Sequence, residues 1–123
     1  MTSTEAASFA ALRLLATTAR GSRRDAAFAT WLVLRVAEDV LLHNDLPERG
    51  IRRRMTSLES RLSSLTVPTG FRRVLGGVIS ALREPRPEAV RAALTQLAGP
   101  AGDLLGGEVA EAIQRLARPV KLA

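Results

Sequence analysis

Apolar residues recur every three or four positions along this chain, in short runs that end at turns containing glycine or proline. That spacing puts apolar side chains on one face of an α-helix, and no stretch alternates polar and apolar residues for long enough to make a β-strand. The apolar residues are mostly Leu, Ala, Val and Ile, with three Phe, one Trp and no Tyr. This set favours helices over strands. We therefore predict an all-α protein.

Turn signals divide the chain into about six short helices. The predicted helices span about residues 2–20, 22–43, 46–65, 70–84, 87–99 and 104–118. The last boundary rests on the turn Gly-Pro-Ala-Gly at 99–102, followed by Asp103 as the cap of the next helix. Because every connection is short, sequential helices should lie antiparallel. We predict a single domain over residues 1–123, folded as a compact bundle.

The run ISALREPRPEAVRAALTQLAG, residues 79–99, offers an alternative architecture. It contains a helix end, a proline-containing turn and then Pro-x-x-Val-Arg-x-Ala-Ala. This order resembles the junction of a HEAT-type helical repeat, which would imply a short HEAT-like stack of helix pairs. The first half of the chain has no matching repeat, so the bundle remains the main prediction.

The second predicted helix is apolar nearly all round. Its core face holds Ala29, Val33, Val36, Ala37, Val40 and Leu41, and the opposite arc holds Phe28, Trp31, Leu32 and Leu42. Such a helix is either central in its bundle or covered on its second face by a partner. Aromatic residues are enriched at subunit interfaces, and the commonest arrangement is an isologous homodimer. We predict that Phe28, Trp31, Leu32 and Leu42 form a protein interface.

The whole net charge of +6 lies between residues 49 and 73. This segment has one acidic residue, Glu59, and the following arginines, which are the candidate polyanion-binding residues: Arg49, Arg52, Arg53, Arg54, Arg61, Arg72 and Arg73. Without interleaved aromatic residues or Asn and Gln readers, RNA or DNA would be bound through its backbone and without sequence preference.

The arginine segment has a second interpretation. Its helix carries a narrow packing seam, at Ile51, Met55, Leu58, Leu62 and Leu65. The arginines occupy the rest of the helix circumference, so they could form no more than a solvated face. In the following helix, Gly76 and Gly77 would be explained by the close approach of another backbone, by a kink or by a late helix start.

The sequence offers little catalytic chemistry. The absence of cysteine excludes disulfides, thiolate metal sites and a cysteine nucleophile. The one histidine, His43, has only Asp39 a turn before it, which does not make a metal site, and no phosphate-loop motif is present. We predict no enzyme activity and no cofactor. A small active site built from Arg35, Glu38 and Asp39 is the remaining enzymatic alternative.

These observations predict a non-catalytic interaction or assembly subunit that self-associates through its second helix. Its partner would be a second copy, in a homodimer or higher oligomer, or another protein. The alternative is binding of RNA, a ribosomal surface, DNA or another polyanion through residues 49–73. No apolar run approaches the roughly 20 residues that span a bilayer, so we expect a cytoplasmic protein. Arginine supplies 17 of the 18 basic residues, which indicates a GC-rich bacterial genome.

Overall fold

The computed structural model describes residues 15–17, 19–42, 48–84 and 86–118. Five helices lie in these ranges: α1 (Gly21–Leu42), α2 (Glu48–Leu62), α3 (Thr69–Arg83), α4 (Pro87–Leu105) and α5 (Gly107–Ala117). No β-strand occurs in the described ranges, and the all-α prediction is confirmed. The first predicted helix lies outside them except near its end, where residues 15–17 are helical.

Helix α1 is the centre of the bundle, because it packs against α2, α3, α4 and α5. Its predicted core residue Val33 is fully buried, and so are Ala27 and Leu34, which lie on another side of the helix. Thr30 is the one buried polar residue in the described part of the chain, and its Oγ1 donates to the Ala26 carbonyl at 2.7 Å. In a repeat stack, each helix pair contacts only its neighbours. The contacts of α1 with α3, α4 and α5 therefore make this a bundle and not the HEAT-like alternative.

Helices α1 and α2 form an antiparallel pair whose register is fixed by polar contacts near both ends. Near the start of α1, the Asp25 carboxylate accepts the backbone N–H of Thr66 at 2.7 Å. Near the other end, Asp39 forms an ion pair with Arg54 of α2. Met55 and Leu58, from the predicted seam of α2, are buried. The side chain of Ile51 lies outside the described residues.

The predicted helix break at 99–102, with a cap at Asp103, is wrong. Helix α4 continues through Pro100 and ends at Leu105. The buried residues of α4 keep a helical spacing across the proline: Val90, Leu94, Leu97, Ala98, Ala101 and Leu105. A break would remove the last of these from the core, so packing overrides the local turn signal. The chain breaks instead at Gly106, whose φ of +109° suits only glycine.

One cluster of buried residues contains side chains from all five helices. Helices α4 and α5 cross so closely that a Cβ placed on Gly102 would lie 3.0 Å from the Cβ of Ala110. None of the described helices has both the length and the apolar character needed to cross a membrane.

Candidate functional site

Three side chains stack along the partly exposed face of α1. The rings of Phe28 and Trp31 have centroids 6.1 Å apart and planes inclined by 17°. On the next turn, the guanidinium carbon of Arg35 lies 5.1 Å from the centroid of the Trp31 ring. Spacings of three and four residues put all three side chains on one helix face. We call this arrangement the Trp31 stack; aromatic and cation–π attraction hold the indole in one orientation.

An open groove of about 250 Å³ lies between α1 and α2, beside the Trp31 stack. We call it the Trp31 groove. Its lining comes half from α1 and half from α2: Trp31, Leu32, Arg35, Val36, Arg54, Ser57, Leu58 and Arg61. Val36 and Leu58 are buried and belong to the core, whereas Arg35 and Arg61 are exposed. The groove therefore combines an apolar base with charged edges.

Positive charge dominates the Trp31 groove. Three of its lining residues are arginines and none is acidic. The carboxylate of Asp39 pairs with Arg54 from outside the lining. Burial, and after it the nearby charge of Arg35, lowers the pKa of Arg54 from its ordinary value. Because a guanidinium stays protonated at neutral pH, Arg35 and Arg54 repel each other, and an anion entering the groove would relieve that repulsion.

The Trp31 groove brings together residues that the sequence assigned to two different sites. Trp31 and Leu32 come from the predicted protein interface, and Arg54 and Arg61 come from the predicted polyanion segment. Phe28 adjoins the groove through its stack on Trp31. The side chains of two other predicted site residues lie outside the described part of the chain: Leu42 and Arg49.

The other predicted arginines are divided among different surroundings. Arg72 donates to the carbonyl of Leu65, in the connection between α2 and α3, at 2.9 Å. It lines a second groove of about 280 Å³ between α2 and α3, in which Arg83 forms an ion pair with Glu59. The side chains of three more are exposed: Arg52, Arg53 and Arg73. The arginines of the charged segment therefore do not form one site: Arg54 and Arg61 line the Trp31 groove, and Arg72 lines the second groove.

For one groove residue, Arg35, the sequence suggested a different role, in a possible active site with Glu38 and Asp39. In the structure, Arg35 covers Trp31 and Asp39 pairs with Arg54. Glu38 is not part of the groove lining. The four-residue spacing from Trp31 to Arg35 was the signal that could have found this contact, since it predicts a cation–π pair on one helix face.

The described residues contain no cluster of three or more His, Cys, Asp or Glu side chains that could hold a metal ion. Comparison of the chain with protein-family models, with curated proteins and with solved structures finds no match.

Proposed function

We propose that this protein is a non-catalytic interaction subunit, and that it binds polypeptide chains through the Trp31 groove and the adjoining Phe28. One observation carries the proposal: a half-exposed tryptophan is held between a phenylalanine and an arginine at the edge of an open groove. Trp and Arg are among the residue types enriched at the positions that dominate the binding energy of protein interfaces.

The position of the groove on the central helix supports the same function. Helix α1 packs against all four other helices described, so the side chains it presents have a rigid support. A surface that is already ordered loses little conformational entropy when a partner docks. The partner can be a second copy of the chain, as the sequence predicts, or a different protein.

Site-specific photo-crosslinking in the native cell tests this function. A photoreactive residue replaces Leu32 in the groove, and in the control variant it replaces the half-buried Ile79, on the second groove. We expect a defined crosslink to a polypeptide from position 32 that is much weaker from position 79, and that Trp31→Ala removes. Equal crosslinking from both positions, or a crosslink that persists in the Trp31→Ala protein, contradicts the proposal. Circular dichroism establishes that each variant is folded.

Exposure of the charged segment favours a second candidate function, the binding of a polyanion such as RNA or DNA. The side chains of Arg52, Arg53 and Arg73 are exposed. Their guanidinium groups can therefore contact phosphates without any rearrangement of buried side chains. Affinity for labelled RNA should then fall steeply with salt. The slope of log K against log[salt] should become shallower by about 1 for each arginine–phosphate pair that a substitution removes. If the double variant Arg52→Glu/Arg53→Glu binds RNA as tightly as the wild type does, polyanion binding is ruled out.

A further inference from the structure

We propose that the segment filling the Trp31 groove is an acidic amphipathic helix of another protein. Its apolar side chains would cover Trp31 and Leu32, and its carboxylates would pair with Arg35, Arg54 and Arg61. This inference rests on the proposed function and specifies the chemical character of the partner segment.

Charge complementarity requires the partner to supply anions. The lining contains three arginines and no acidic residue, and of the three only Arg54 forms an ion pair with a carboxylate of the described chain. A purely apolar partner would cover guanidinium groups without replacing their hydration, which is costly. Carboxylates fit this need because they accept two parallel hydrogen bonds from a guanidinium.

The shape of the groove fits a helix. It runs between two antiparallel helices, and an amphipathic helix can dock its apolar face into such a groove. Arg54 and Arg61 lie seven residues apart on α2, which is two helical turns or roughly 10 Å along the axis. Acidic residues seven positions apart on a docked helix would face both arginines. The apolar base, which includes Val36 and Leu58, would receive the side chains between them.

The Trp31 stack argues against nucleic acid as the occupant. Phe28 stacks against the Trp31 ring, and Arg35 covers a face of it. A nucleobase that stacks on Trp31 would compete with these neighbours for the ring. Nucleic acid also offers no aliphatic side chain for Leu32 and the apolar base. A polypeptide satisfies both the apolar and the charged parts of the groove.

Charge also argues against a second copy of the chain at this groove. In a twofold-symmetric dimer the same surface of both subunits meets. That arrangement would bring the three arginines of one groove, Arg35, Arg54 and Arg61, near those of the other. Like charges brought together across an interface are unfavourable, so a different, acidic chain is the better match.

The test uses two synthetic helical peptides without tryptophan. The first has Leu and Phe at helical spacing on one face and Glu on both flanks, and the second has Gln in place of every Glu. Trp31 is the only tryptophan of the chain, so its fluorescence reports on the groove directly. We expect saturable binding of the Glu peptide to the full-length protein and about tenfold weaker binding of the Gln peptide, since each exposed ion pair contributes modestly.

Variants locate the charges that matter. Arg61→Gln and Arg35→Gln should each weaken binding of the Glu peptide by about threefold, with little effect on the Gln peptide. The matched control is Arg73→Gln, since Arg73 is an exposed arginine of α3 that does not line the groove. It should bind both peptides as the wild type does.

Different failures overturn different claims. Equal affinity for the Glu and Gln peptides would overturn the acidic partner but leave the proposed function standing, because binding at Trp31 would remain. Self-association that Trp31→Ala abolishes, with neither peptide binding, would make a second copy the occupant. An RNA oligomer that changes Trp31 fluorescence at lower concentration than the Glu peptide would make nucleic acid the occupant. A monomer whose fluorescence responds to none of these probes would overturn the function as well.

Discussion

Arginines that look equivalent in the sequence have different environments in the fold. Arg54 is partly buried and paired with Asp39, whereas Arg72 donates to a backbone carbonyl and Arg53 is exposed. Their shared charge therefore does not give them a shared role. What distinguishes the arginines of the Trp31 groove is their position beside apolar side chains, so that one docked segment could contact both kinds of group.

The ion pair of Asp39 with Arg54 should contribute measurably to stability. Both side chains are about 30 % exposed, so we expect Asp39→Asn to lower the free energy of unfolding by about 0.5–1 kcal/mol. Arg54 would then remain beside Arg35 without its carboxylate partner. A double-mutant cycle with Arg54→Gln in urea denaturation isolates the pair from other effects of each change. A coupling energy of zero would contradict the prediction. Removal of the Asp39 charge should also strengthen binding of the acidic peptide.

Gly76 and Gly77 should be replaceable by alanine with a gain in stability. Both lie inside α3, and apart from their chain neighbours and the nearby backbone of α3, nothing in the described structure lies within 4 Å of a Cβ placed on either residue. The close backbone approach considered from the sequence is not made by any described residue. We expect Gly76→Ala and Gly77→Ala each to raise the free energy of unfolding by up to about 1 kcal/mol.

The control for these substitutions is Gly106→Ala. Gly106 also has open space around it, but its φ is +109°. Alanine is strained in that conformation, so this variant should be less stable than the wild type in thermal unfolding. A destabilising effect at Gly77 equal to that at Gly106 would show that α3 does not run as a regular helix through this position.

At the level of whole helices, Pro100 shows how packing decides a boundary that local signals leave open. Proline has no N–H, so within α4 the carbonyl of Gln96 lacks its usual donor. Burial of Ala101 and Leu105 beyond the proline compensates for that loss. The helix therefore continues until Gly106, where the chain turns into α5.

Replacing Pro100 with alanine should stabilise the protein. The new N–H can donate to the Gln96 carbonyl, and the ring no longer crowds the preceding turn. We expect the free energy of unfolding to rise by about 1 kcal/mol or more. Backbone chemical shifts of residues 97–105 should be helical in both proteins. Loss of stability in Pro100→Ala, or non-helical shifts around residue 100 of the wild type, would favour the break at 99–102 after all.

The helix signals in the sequence predicted most element boundaries because those boundaries depend on local chemistry. The start of α4 at Pro87 and the end of α3 at Arg83 follow from proline and turn residues. The Trp31 groove could not be predicted in the same way. It depends on the register between α1 and α2, which is held by the contacts of Asp25 with Thr66 and of Asp39 with Arg54. No local pattern in either helix specifies that register.

For the whole molecule, α1 connects stability with the proposed function. Its inner residues, such as Val33 and Leu34, are fully buried, and its outer residues Trp31 and Arg35 line the groove. Because the same helix supports both, a partner would meet a surface whose backbone is already fixed by the core. We therefore expect binding at the Trp31 groove to involve side-chain adjustment with little backbone rearrangement.

The same arrangement predicts that the described bundle unfolds as one cooperative unit. The cluster of buried residues includes side chains from every described helix, and α1 packs against all the others. No other helix stays fully packed once α1 separates. In urea, the fluorescence of Trp31 and the far-ultraviolet circular dichroism should therefore follow one transition with the same midpoint.

Leu34→Ala tests this cooperativity directly. Leu34 is fully buried in α1, so its truncation should cost about 3 kcal/mol, because buried apolar surface is removed and a cavity remains. The midpoints of the Trp31 fluorescence and circular dichroism transitions in urea should fall by the same amount. The control, Leu104→Ala, removes a half-buried side chain from α4 and should cost less. Helices α4 and α5 cross closely at Gly102 and Ala110. If the helical circular dichroism of the Leu34→Ala protein is lost at a higher urea concentration than the Trp31 fluorescence signal, these two helices are stable without α1. In that case α1 would organise the groove but not the whole fold.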